Sequence, residues 1–179
     1  MKVILYELNE IPYNLFINYA KKYKKSSIAS LVNQGFVLKT ICKDQGELHP
    51  WTSWPTLHMG VSADQHNYRY LNQDVHTYPY YLPIWDIAIQ KKYTVGLFGL
   101  LQSKMAIKYK KGYKFFIPDT FNIIDKCKPN DLSYYQKLNT FFVSRLRSNL
   151  KTFNYELIIL FLKNLQKGYL NVKSLLLIT

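Results

Sequence analysis

Two spacings of apolar residues alternate along this chain, and they divide it into short runs and helical stretches. The first run, "KVILYEL" from Lys2 to Leu8, is compact and ends in polar residues. It predicts a buried strand of a parallel sheet, presenting Asn9 and Glu10 at its carboxyl end. Pro12 then opens a helical stretch, "PYNLFINYAKKYKK", with Leu15, Phe16, Tyr19 and Ala20 at helix spacing. "SSIASLVNQGF" predicts a second helix, capped by Ser26 or Ser27 and closed by Gly35. "FVLKTIC", Phe36 to Cys42, predicts another strand, and Lys43 to Leu48 a polar loop.

Beyond that loop the spacing predicts a helix capped by Thr52 or Ser53, with Pro55 in its first turn and a stop near Gly60. Residues 61–82, rich in Tyr, Asn and His, predict a long irregular connection. "LPIWDIAIQKK" has the spacing of an amphipathic helix, "YTVGLFG" (Tyr93 to Gly99) that of a strand with a glycine turn. "YKFFIPDTF" predicts a strand ending at Pro118 and Asp119, and two helices follow, about 131–146 and 152–165. Strand and helix in alternation predict an α/β fold: a parallel-type sheet flanked by helices on both faces. Ligands of such sheets gather at the carboxyl ends of the strands, here Asn9/Glu10, Gly99 to Ser103 and Pro118/Asp119.

Composition narrows this picture. At 179 residues the chain suits a single domain, and 48% hydrophobic with 16% aromatic residues excludes a disordered one. The net charge of +13 favours anionic partners. After Asp131 the only acid is Glu156, against Lys137, Arg145, Arg147, Lys151, Lys163, Lys167 and Lys173. No RNA-recognition motif or zinc-finger spacing accompanies the charge, so specific nucleic-acid binding is not expected. Cys42 and Cys127 stand far apart, outside any CxxC or metal-ligand spacing, which predicts a reduced, cytoplasmic protein. The amino terminus lacks the pattern of a signal peptide. "LIILFL" (Leu157 to Leu162) is far short of the roughly 20 residues of a membrane span.

The densest chemistry lies in "HPWTSWPTLHMGVSADQHNY", His49 to Tyr68. With "VILYELNE" before it and "IWDIAIQKKYTVGLFG" and "FFIPDTF" after it, this order resembles the N-terminal half of the alkaline-phosphatase-like superfamily. That superfamily includes type I phosphodiesterases/nucleotide pyrophosphatases and sulfatases. The resemblance covers most of residues 2–121, and implies an incomplete alkaline-phosphatase-like domain over residues 1–179. It implies metal ligation by Asn9 and Glu10, a nucleophilic hydroxyl at Thr52 or Ser53, and a substrate-binding His66 beyond the Gly60 stop. "SWP" echoes the nucleophile-x-Pro pattern of the phosphodiesterase branch. Two divalent metals, zinc or similar, would stabilise the attacking and leaving oxygens in intact relatives, and the helix N-terminus would favour an anionic substrate.

The chain departs from the family in three ways. Asn9 stands where a metal-binding acid is usual, and an amide brings no charge to a cation. Aligning Gly60 without a gap puts Pro50 at the nucleophile position. No Asp-His dipeptide occurs, and the second ligand group of the family belongs to its C-terminal half. The expectation is therefore a truncated or degenerate member of a metal-dependent phosphodiesterase/sulfatase-like hydrolase family, its intact relatives acting on phosphate or sulfate esters. The alternative is a non-catalytic binding protein, its Tyr-rich loop and basic C-terminal helices holding an anionic glycan or nucleotide.

Overall fold

The structure, a computed structural model, describes residues 2–41, 49–71, 73, 81–122, 126–145 and 155–170. They gather into two compact units, Met1–Gln45 and Gly46–Thr179. The described elements are helical and β, a mixed α/β chain. Among the described residues no helix is long and apolar enough to cross a membrane.

The first unit holds two helices packed on each other, α1 (Tyr13–Lys22) and α2 (Ser27–Gln34). Pro12 precedes α1 in an extended conformation that its ring favours, and Lys21 and Lys22 sit in the last turn, where cations suit the helix dipole. Ser26 caps α2 as expected, its Oγ accepting the Ala29 N–H at 3.1 Å, and the Gly35 N–H closes the helix on Leu31 O at 2.9 Å. The buried residue of each helix is an alanine, Ala20 and Ala29.

Among the described residues, the two expected strands of this unit do not form. Residues 2–8 and 36–41 are irregular, and position 42 lies outside the described residues. Ile4 is 90% and Phe36 100% exposed. A strand exists only through backbone pairing with a neighbour, and among the described residues neither run has one.

The second unit contains α3 (Pro50–Met59), α4 (Ala63–His66), α5 (Ile84–Gln90), β1 (Val95–Phe98), β2 (Tyr113–Ile117), α6 (Ser133–Arg145) and α7 (Tyr155–Gln166). The strands predicted around "VGLF" and "YKFFI" are present and pair in parallel, Leu97 opposite Phe116 and Phe98 opposite Ile117. This two-stranded pair is the sheet of the described residues. A bridge to Lys128 occupies β2, with Phe116 and Lys128 exchanging both backbone hydrogen bonds at 2.8 and 2.9 Å.

Trp85, Leu97, Tyr113 and Phe116 form the core, with Ile89, Val95 and Leu100 against it. Burial of these large side chains supplies the main driving force, roughly 1.5–3 kcal/mol for each apolar one. Gly96 admits the Phe115 ring, because a Cβ there would meet ring atoms at 2.2 Å. The helices expected at the C-terminal side are present. They pack antiparallel, since Asn164 near the end of α7 donates to Tyr134 O at the start of α6, at 3.0 Å. Cys127 is buried, which pushes its thiol up to about 11, so it is poorly reactive.

Among the described residues of the expected irregular connection 61–82, one helical turn forms, α4. Gln65 Oε1 accepts from the Ser62 backbone N–H and hydroxyl, both at 3.1 Å, and Asn67 ends the turn at φ 58°. Positions 72 and 74–80 of that connection lie outside the described residues.

Candidate functional site

The helix bearing the expected nucleophile starts earlier than its hydroxyls suggest. His49 is extended and Pro50 is the first helical residue, where a missing N–H costs nothing and φ is preset. Thr52 and Ser53 are therefore inside the first turn, not caps, and both their N–H groups donate to His49 O at 2.9 Å. Thr52 is buried. Ser53 is half-buried, and its Oγ donates back to His49 O at 3.1 Å. Gly60 ends the helix as expected, at φ 69°, a left-handed position that costs a glycine little.

The histidines of the segment are packed. His66 is 0% exposed, and its Nδ1 accepts the Tyr68 backbone N–H at 3.0 Å. The proton of the neutral ring is thereby placed on Nε2, which donates to Thr56 Oγ1 at 2.9 Å. Thr56 in turn donates to Thr52 O at 3.3 Å. Nε2 thus ties α4 to α3 and Nδ1 holds the residues just after α4, which gives His66 a positioning role. Neither nitrogen faces solvent. His58 is buried between Trp54 and Trp85, with ring centroids at 5.9 and 5.0 Å, joining α3 to α5. His49 stacks on Trp51 at 4.5 Å.

The carboxyl ends of β1 and β2 do converge. Gln102, at φ 60°, donates its N–H to Asp119 Oδ2 at 3.2 Å. Asp119 Oδ1 accepts from Phe121 N and Asn122 N at 2.9 and 3.1 Å. Burial pushes the Asp119 carboxyl above the usual carboxylate range, while these backbone N–H groups pull it back down. Gln136 of α6 reaches the same turn, donating to Asp119 O at 2.7 Å. Ser103 Oγ and Gln136 Oε1 are buried and have no hydrogen-bond partner among the described residues. Gln102 also donates to Tyr70 O at 2.6 Å, and Trp51 Nε1 to Arg69 O at 3.1 Å. The loop after α4 is thereby fastened both to the end of β1 and to the start of α3.

The strand-end rule located Gly99 to Ser103 and Asp119 from sequence. Gln102 lies within that stretch, but Gln136 carried no such signal, because its partner is a backbone carbonyl 17 residues away. Asn9 and Glu10 belong to the first unit, where they form an exposed turn with Glu10 at φ 55°. Among the described residues no three His, Cys, Asp or Glu side chains stand close enough to hold a metal ion. Among the described residues the donors form no group that fits the two-metal centre implied by the resemblance. Compared with family models, curated proteins and solved structures, the chain matches none of them.

Proposed function

We propose that this chain is a degenerate alkaline-phosphatase-like domain that holds a phosphate or sulfate ester without hydrolysing it, at the carboxyl ends of β1 and β2. The observation that carries this reading is the start of α3 on Pro50, which offers no nucleophile at the helix's first position. The nearest hydroxyls support it as well. Thr52 is buried, and Ser53 Oγ is committed to His49 O. The charge of +13 favours an anionic ligand, glycan or nucleotide.

A second reading keeps the hydrolase, with Ser53 as nucleophile, and the half-buried position of Ser53 favours it. In that reading a divalent metal such as zinc would stabilise the oxygens of the ester.

Turnover of bis(p-nitrophenyl) phosphate and p-nitrophenyl sulfate, with zinc, magnesium or manganese added, decides between the two. The binding reading expects no turnover above background, together with saturable, calorimetrically measurable binding of a nucleoside monophosphate that Gln102→Ala weakens. Turnover that Ser53→Ala reduces by about a hundredfold or more overturns it.

A further inference from the structure

We propose that the first unit carries a binding site for an anionic amphiphile, a hydrocarbon chain with a carboxylate or phosphate head. The observation is an open cleft of about 480 Å³, formed wholly within that unit. Its size lies inside the range of small-molecule sites, about 300–1,000 Å³. Ile11 ahead of α1, Phe16 of α1, Leu31 of α2 and Leu38 of the run that follows α2 line it. Its walls are therefore apolar, with a chain-like demand for apolar contact.

One charge enters this lining, Lys39, and it is positive. Its ammonium stands 5.8 Å from the centroid of the Tyr13 ring, another lining residue. The surroundings have the same sign. Residues 2–41 contain six lysines (2, 21, 22, 24, 25 and 39) against Glu7 and Glu10. A neutral apolar ligand would leave this charge unused, whereas an anionic head meets it at the cleft. The site is independent of the ester-binding reading, which rests on residues of the second unit.

The test uses the full chain and cis-parinarate, a fluorescent long-chain carboxylate. Saturable one-to-one binding is expected, displaced by palmitate at a concentration at least about tenfold lower than by hexadecanol, which has the same chain and no charge. Leu31 is 68% exposed, so Leu31→Asp alters the cleft without emptying a core. It should weaken binding about tenfold or more, and Lys39→Glu should do the same while Lys39→Arg restores it. Competition by phosphatidylglycerol vesicles would identify a bilayer as the source of the ligand, and competition by palmitate alone a free acid. Unsaturable binding, equal competition by hexadecanol, or affinity indifferent to both Leu31→Asp and Lys39→Glu overturns the proposal.

Discussion

Residues 2–8 and residues 113–117 are similar strings, "KVILYEL" and "YKFFI", yet one is irregular and mostly exposed while the other is a strand that buries Tyr113, Phe116 and Ile117. The difference is not in their propensity. Val, Ile, Leu and Tyr suit a pleated sheet as well as Tyr, Phe and Ile do. What separates them is the neighbour. β2 lies between β1 on one side and the Lys128 bridge on the other, and Trp85 and Leu97 complete its core. An apolar run is thus a request for burial, and only pairing and packing turn it into a strand.

The largest expected effect tests this contrast directly. Phe116 is fully buried at the centre of the pair, so Phe116→Ala should cost about 3–5 kcal/mol in urea unfolding. Ile4→Ala, in the exposed run, should stay within about 0.5 kcal/mol. A large loss at Ile4 would mean that the first run is buried in solution, and the comparison would collapse.

A smaller effect concerns charge in the core. Tyr113 donates its hydroxyl to Asp86 Oδ1 between β2 and α5, and burial raises the Asp86 carboxyl above its ordinary value of 3.8. A carboxyl raised in the folded state binds more protons folded than unfolded. Its contribution to stability is therefore complete below pH 3.8 and is lost as pH rises through the folded value. Asp86→Asn keeps an acceptor for Tyr113 and removes this dependence. Its stability relative to the unaltered chain should improve as pH is raised from about 3 to 7, read from urea midpoints at each pH. A difference that does not vary with pH would assign Asp86 an unshifted carboxylate.

The smallest effects sharpen the comparison by ignoring it. Ser26→Ala in the first unit removes a cap, and Gly60→Ala in the second forces an alanine to φ 69°. Each should lower its unit's stability by about 1 kcal/mol, seen by hydrogen exchange of the neighbouring helix. Equal costs in both units would show that helix ends obey local rules wherever they stand.

The helices were legible for that local reason. Pro12, Ser26, Gly60 and the apolar spacing of 84–90 act within one or two turns, so the chain alone determined where α2 begins, where α3 stops and where α5 lies. It also determined β1 and β2 and the meeting of their carboxyl ends. One local signal outweighed another, and two matters were left to tertiary structure. Pro50, rather than Thr52 or Ser53, opened α3, because a residue with its φ preset and no N–H to satisfy outcompeted the hydroxyls as the starting signal. His66 went to the interior because Tyr68 N–H and Thr56 Oγ1 satisfy both its nitrogens there, a condition no local pattern encodes. The fate of the apolar runs 2–8 and 36–41 was decided the same way, since a strand's hydrogen bonds belong to its partner as much as to itself.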